Sequence, residues 1–177
     1  KQRLGAQGVA WLRHPDISDA WDVQFMRALG SPNLFASTSL GRACRNAACQ
    51  YTLGGVPVFD LPSARYILLF GRNLAESIFT ADVNRLTEAK ERGAHIVVFD
   101  PRLTNTAALA HEWIPIKPGS DGALLLALMN VLVTEKLYDA AFVDKYTVGF
   151  AALADYLLDK TPGWAAHLTN VPADTIR

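Results

Sequence analysis

The sequence predicts an α/β fold, a parallel sheet flanked by helices and followed by a helical C-terminal tail. Two runs, Tyr66-Ile67-Leu68-Leu69-Phe70 and His95-Ile96-Val97-Val98-Phe99, are nearly continuously apolar rather than alternating, as strands buried on both faces are. Between them Ile78, Val83, Leu86 and Ala89 fall along one side of a helix, and Gly93 supplies a left-handed cap at its end. Strand, helix and strand make a βαβ unit with a right-handed crossover. From Pro118 onward the apolar spacing is helical to the end of the chain.

The remaining elements follow in order. Residues 1–14 have weak periodicity and form a lead-in segment. A helix is expected over 16–30, with Ile17, Trp21, Phe25 and Leu29 on its apolar stripe, acids in its first turn and Gly30 as its stop. Ser31-Pro32-Asn33 is a turn, and Leu34-Phe35-Ala36 a short strand. A second helix over 40–52 carries a stripe of mostly small residues, Leu40, Ala43, Cys44, Ala47, Ala48 and Tyr51, and stops at Gly54-Gly55. After the βαβ unit come a short helix over 105–110 and a strand at Trp113-Ile114-Pro115-Ile116, where Pro115 demands an edge or a strand end. Pro118-Gly119-Ser120-Asp121 turns into a long helix bearing Leu124, Leu125, Leu128, Val131 and Leu132, expected to be well buried. Short helices follow around 140–146, 150–158, 163–168 and from 173.

Composition narrows the function. At 177 residues the chain can bury roughly two-thirds of its unfolded surface, so a core needs no staples. Half the residues are hydrophobic and 19% charged, which is globular rather than disordered. Seventeen basic residues balance seventeen acidic ones, against a nucleic-acid surface as the main role. The longest apolar run, 123–133, is broken by Asn130 and is too short to span a bilayer. Lys1 opens a polar stretch without an initiator Met, and the chain reads as a piece of something longer. Cys44 and Cys49 make neither a disulfide framework nor a zinc or iron–sulfur pattern, and the four histidines lack metal-ligand spacing.

Three turns could carry chemistry. Ligands of parallel α/β sheets sit beyond the carboxyl ends of the strands, where loop amides and helix starts meet. Gly71-Arg72-Asn73 follows the first buried strand. Gly71 permits close approach of the backbone to a ligand, Asn73 offers donors and an acceptor, and Ser77 lies near the next helix start. Asn73 could equally cap that helix. The turn is not Gly-x-Gly-x-x-Gly, which disfavours a nicotinamide site. Asp100 ends the second strand 23 residues beyond Ser77, near the separation of about 20 at which an acid meets a ribose in dinucleotide folds. It could also be a plain turn former before Pro101. Arg102 could hold a phosphate or an acidic residue bidentately, or merely be solvated. At the third turn, the Asp121 carboxylate can accept paired N–H groups, as on a guanine edge, with Gly119 leaving room for a ring. Capping of the long helix by Ser120 or Asp121 is the alternative.

The ordered set YILLFGRN (66–73), GAHIVVFDPR (93–102), TNTA (104–107) and WIPIKPGSD (113–121) resembles the molybdopterin oxidoreductase family, which includes formate dehydrogenases, nitrate reductases and dimethyl sulfoxide, polysulfide and thiosulfate reductases. Leu137-Tyr138-Asp139, Phe142-Val143, Tyr146-Thr147 and the stretch 161–172 extend it, so it covers the chain from about Gly30 onward. It implies a Rossmann-like domain over 31–177, incomplete, that binds molybdopterin guanine dinucleotide, with residues 1–30 as a lead-in and helix from a neighbouring subdomain. The implied cofactor is bis(molybdopterin guanine dinucleotide) with Mo or W. Its ligands here would be Gly71, Arg72, Asn73, Glu76 and Ser77 from the first turn, Asp100 and Arg102 from the second, and Gly119 and Asp121 from the third.

The same resemblance implies a parent enzyme with a 4Fe–4S cluster outside this chain, an electron-transfer iron–sulfur subunit and a membrane anchor. Its substrate would be a small inorganic sulfur compound or similar small molecule, and its setting periplasmic or membrane-associated in a prokaryote, with a cytoplasmic one also open. Many members supply a metal ligand just before the small-residue helix. Here that position falls on Gly41, which has no ligating group, leaving a metal without a protein ligand or one held by Ser39 or Cys44. Cys44 is the better ligand chemically, but its stripe position favours packing. Without the cluster segment and the second pterin site the chain alone is expected to be catalytically inactive. The rival readings are a nicotinamide dehydrogenase domain and a non-enzymatic α/β ligand-binding module.

Overall fold

A computed structural model describes residues 5–13, 19–37, 42–76 and 80–177. The chain forms two compact units, Lys1–Phe59 and Asp60–Arg177. The first thus includes residues 31–59, which the sequence grouped with the cofactor-binding span.

In the first unit β1 (Trp11–Arg13) pairs in parallel with β2 (Leu34–Ala36), Trp11 opposite Leu34. Helix α1 (Asp19–Leu29) connects them and stops at Gly30, whose φ of 79° only glycine adopts freely. The expected stripe is corrected here. Among the described side chains of α1 Met26 is the buried one, whereas Trp21 and Phe25 are exposed, and Ile17 lies outside the described residues. Phe25 instead packs edge-on against Trp11 at 5.4 Å. The connection into β2 is held by the buried Ser31, whose hydroxyl donates to the Val9 carbonyl at 2.6 Å. Helix α2 (Ala43–Leu53) ends at Gly54 in the left-handed conformation and has no buried residue.

The second unit is built on one parallel sheet in the order β3 (Tyr66–Phe70), β4 (His95–Phe99), β5 (Glu112–Ile114). Helix α3 (Thr80–Glu91) joins β3 to β4, and α4 (Asn105–Leu109) joins β4 to β5. The central strand sorts its side chains by the two-residue period of a strand. Ile96 and Val98 pack with Ile67, Leu69, Leu86, Ala89 and Ala107 on one face. Val97 and Phe99 pack on the other with residues of the tail, including Leu124, Ala127, Ala165 and Val171.

Burial on both faces therefore holds for β4 but not for β3, where Tyr66 is 61% exposed and Leu68 40%. The cause is topological: β3 is an edge strand, and the tail reaches only Phe70 on that side of it. Strand β5 stops before Pro115 at the opposite edge, as the missing proline N–H requires.

The tail consists of α5 (Asp121–Thr134), α6 (Ala140–Tyr146), α7 (Phe150–Leu157), α8 (Pro162–Thr169) and α9 (Ala173–Ile176). Helix α5 packs on α8 through Leu124 and Ala127 and also buries Val131, while Leu125 and Leu132 are exposed, so its apolar belt is only partly covered. The polar break in its sequence has a purpose: buried Asn130 donates from Nδ2 to the Leu157 carbonyl at the end of α7, at 2.7 Å. Asp139 and Thr161 cap α6 and α8 by accepting from the Phe142 and Trp164 amides. No helix among the described residues is long and apolar enough to cross a membrane.

Candidate functional site

Because all three strands of the larger sheet run in parallel, the segments that leave β3, β4 and β5 emerge on one edge. Those segments contain the three turns singled out above. Gly71 sits at φ 55° and donates its N–H to the Phe99 carbonyl at 2.9 Å, which ties the first turn to the end of β4. A Cβ there would meet nothing within 4 Å, so glycine is required by the backbone angle, with open space in front of it.

Among the described residues the Asn73 side chain makes no helix-capping hydrogen bond. Its Oδ1 accepts the Thr106 hydroxyl at 2.8 Å, and the same hydroxyl oxygen accepts the Ala75 N–H at 2.9 Å. Thr106 belongs to α4, whose start is fixed by Thr104 Oγ1 accepting from the Ala107 amide. Two neighbouring threonines thus do separate work: one caps the helix, the other holds the first turn.

Asp100 is the end of β4 and only 8% exposed. Its Oδ1 accepts the Arg102 N–H at 2.9 Å, an Asx-turn, and its carbonyl accepts the Trp113 indole N–H at 2.8 Å. The turn-former alternative and the buried acid therefore coexist in one residue. Arg102 reaches back across the edge, with Nη2 3.4 Å from Glu76 Oε2. Both side chains of that pair are well exposed, and such a pair stabilises a fold by roughly 0–1 kcal/mol. Its role is geometric, joining the first turn to the second.

Gly71, Asn73, Glu76, Asp100 and Arg102 are accordingly one connected group. Arg72 is an exposed residue of the same first turn, and Ser77 lies outside the described residues. At the third turn Gly119 is exposed at φ 80° with open space where a Cβ would stand, and Asp121 begins α5. Ser120 occupies the N-cap position of α5, but its side chain makes no capping bond there; its hydroxyl donates to the Lys117 carbonyl at 2.6 Å. The Asp121 carboxylate meets the positive end of a fourteen-residue helix, a favourable place for a negative charge.

Around the expected metal-ligand position, Ser39 and Gly41 lie outside the described residues. Cys44 is exposed on the first turn of α2, which corrects the expectation that it packs in an apolar stripe; the helix buries none of its residues in this unit. Among the described residues no group of three or more His, Cys, Asp or Glu side chains is arranged to hold a metal ion.

Thr106 and Trp113 were not singled out from the sequence. Thr106 lies 33 residues from Asn73, and nothing in local spacing reveals that contact. Only its place in the TNTA segment draws notice to it.

This architecture has close counterparts among known proteins. A family model for molybdopterin oxidoreductase matches residues 19–165, and the chain belongs to that family. Membership implies a molybdopterin cofactor. The thiosulfate reductase molybdopterin-containing subunit PhsA of Salmonella typhimurium is 46% identical over 99% of this chain and 23% of its own length. Acetylene hydratase of Syntrophotalea acetylenica is 34% identical over 87% of this chain and 21% of its own, and dimethyl sulfoxide reductase DmsA of Escherichia coli 37% identical over 72% and 19%. The solved acetylene hydratase from Pelobacter acetylenicus superposes with a TM-score of 0.80 at 29% identity, covering 94% of this chain and 24% of that one. The chain therefore spans about a fifth to a quarter of the length of these relatives.

Proposed function

We propose that this chain is the part of a molybdenum or tungsten oxidoreductase that grips one dinucleotide arm of bis(molybdopterin guanine dinucleotide), with residues 31–177 as the incomplete binding domain. The observation that carries the reading is the linked pair of turns, Gly71–Glu76 against Asp100–Arg102, at the carboxyl edge of a parallel sheet. The donor set fits the group. Gly71 brings the backbone close to open space, Asn73 has its amide nitrogen without a partner among the described residues, and Arg102 provides a guanidinium for a phosphate. Gly119 and Asp121 suit the guanine, the carboxylate accepting its paired N–H groups. Arg72 and Ser77 complete the proposed ligands, and Ser39 and Cys44 are the candidate metal ligands. When bound, the cofactor supplies two-electron redox chemistry at its metal; the residues of this chain bind and orient its nucleotide end.

The intact parent would act on a small inorganic sulfur compound, a reading supported by 46% identity to a thiosulfate reductase subunit. That relative is named as one subunit of an enzyme, which supports a parent working with an electron-transfer iron–sulfur subunit and a membrane anchor, and carrying a 4Fe–4S cluster outside this chain. A periplasmic or membrane-associated setting goes with that assembly. The deciding experiment is metal analysis of the intact parent with quantification of guanine nucleotide released on denaturation. Molybdenum or tungsten with two guanine nucleotides per metal is expected, the bis stoichiometry of the proposed cofactor. A parent that releases nicotinamide nucleotide, or no nucleotide, overturns the reading. The chain expressed alone should show no turnover.

A further inference from the structure

Thr106 is fully buried, contacts the first turn from a separate helix, and is not itself one of the proposed ligands. Its hydroxyl has one proton to give. The oxygen already accepts the Ala75 N–H at 2.9 Å, and the proton goes to Asn73 Oδ1 at 2.8 Å. Turning the Asn73 amide over would place its NH2 group against the hydroxyl and leave the hydroxyl proton without that acceptor in a buried place, which is costly. The hydroxyl therefore selects one of the two amide orientations. Oδ1 faces the protein, and Nδ2 faces away with both of its protons available and no partner among the described residues.

We infer that Thr106 is a positioning residue that makes Asn73 a pure donor toward the cofactor site, so that Asn73 meets an acceptor-rich group of the ligand, a phosphate or carbonyl oxygen, rather than a hydroxyl or amine proton. The Ala75 N–H is the far end of the relay: by donating to Thr106 it holds the first turn and the hydroxyl in one register. Asn73 and Ala75 flank Leu74, itself buried, so the turn is anchored on both sides of one apolar residue. The inference rests on the reading of the Gly71–Glu76 turn as part of the dinucleotide site.

A packing role and a positioning role predict opposite orders for two substitutions. Thr106→Val keeps the volume and loses the hydroxyl; Thr106→Ser keeps the hydroxyl and loses a methyl group from a fully buried place. In the intact parent, the readout is guanine nucleotide released on denaturation per mole of folded protein. Thr106→Val should retain about tenfold less nucleotide than the unsubstituted protein, the scale of one lost buried hydrogen bond, and Thr106→Ser should restore retention to within about twofold. Retention by Thr106→Val equal to the unsubstituted protein, or Thr106→Ser falling below Thr106→Val, overturns the inference. Asn73→Ala separates the two levels. If it loses nucleotide while Thr106→Val does not, only the positioning role fails; if Asn73→Ala retains nucleotide in full, the assignment of the turn to the cofactor fails with it.

Discussion

The two ends of the β3-β4-β5 sheet treat polar groups in opposite ways. At the amino end the side chains pair with one another. Tyr66 stacks on His95 at 5.1 Å, His95 stacks on His111 at 4.8 Å, and His95 Nε2 lies 2.9 Å from Glu112 Oε1. His111 also donates its N–H to the Ile96 carbonyl while its Nδ1 accepts the Ile96 N–H at 3.0 Å, so the imidazole stands in for a carbonyl and extends the β4–β5 ladder by one residue. At the carboxyl end the side-chain bonds run inward, from Thr106 to Asn73 and from the Arg102 amide to Asp100, and leave donors facing outward. One end is closed on itself. The other is held rigid from behind and open in front, which is the arrangement a ligand needs.

The largest expected effect breaks the open end. Gly71→Val puts a β-branched residue at φ 55°, where an L-residue pays about 1–2 kcal/mol in backbone strain, more when branched. Its side chain would also stand in the open space before the turn. The parent carrying Gly71→Val should lose nearly all releasable guanine nucleotide, while thermal melting shows the fold retained at lower stability. Full nucleotide content in that variant would remove the basis for calling this end the functional one.

The reverse experiment loads the closed end. His111→Phe keeps a ring to stack on His95 but removes the acceptor of the Ile96 N–H. Leaving that donor unpaired should cost about 1–3 kcal/mol by denaturant titration, with nucleotide content unchanged at temperatures where the protein is folded. A drop in nucleotide content equal to that of Gly71→Val would show that the two ends are not separable.

Much of this contrast was legible from single residues, and the limits of that legibility have physical causes. The carboxyl-end turns follow from Gly71, Asp100-Pro101 and Gly119, each a residue whose backbone preference announces a turn. Gly93, at φ 94°, ends α3 as its position predicted. What escaped were facts about partners distant in sequence. An apolar run such as Tyr66–Phe70 has the same composition whether one or two layers cover it, and only the sheet order reveals that Tyr66 and Leu68 are open. In α1 the four-residue spacing of Trp21 and Phe25 suggested a core stripe, but the adjacent Met26 turns inward instead. Thr106 and His111 act through side-chain bonds to segments 33 and 15 residues away, and periodicity is blind to both.

A smaller effect sharpens the comparison at the open end. Glu76→Gln removes the charge that faces Arg102 at 3.4 Å. Exposed pairs of this kind contribute roughly 0–1 kcal/mol, so melting should barely move. If the pair aims Arg102 at the ligand, nucleotide retention falls about twofold to threefold, and raised salt reproduces part of the loss in the unsubstituted protein. Equal retention at all salt concentrations would reduce the pair to decoration.

The smallest effect provides the baseline for both ends. Lys160 hydrogen-bonds Asp159 at 2.8 Å and lies 5.2 Å from the Tyr156 ring and 5.3 Å from the Trp164 ring. The hydrogen bond to Lys160 lowers the Asp159 pKa, and the bond to Asp159 raises that of Lys160. The signs fix the pH profile. The Asp159 contribution is present above the ordinary carboxylate pKa and fades as pH falls through the lowered value; the Lys160 contribution is present below the ordinary lysine pKa and fades as pH rises through the raised one. Both groups are thus constant through neutrality. Lys160→Met should leave the stability plateau between these limbs flat, alter only its acid and alkaline shoulders, and leave nucleotide content untouched. A slope appearing near pH 7 would mean that this pair is not what sets the pH response of the fold.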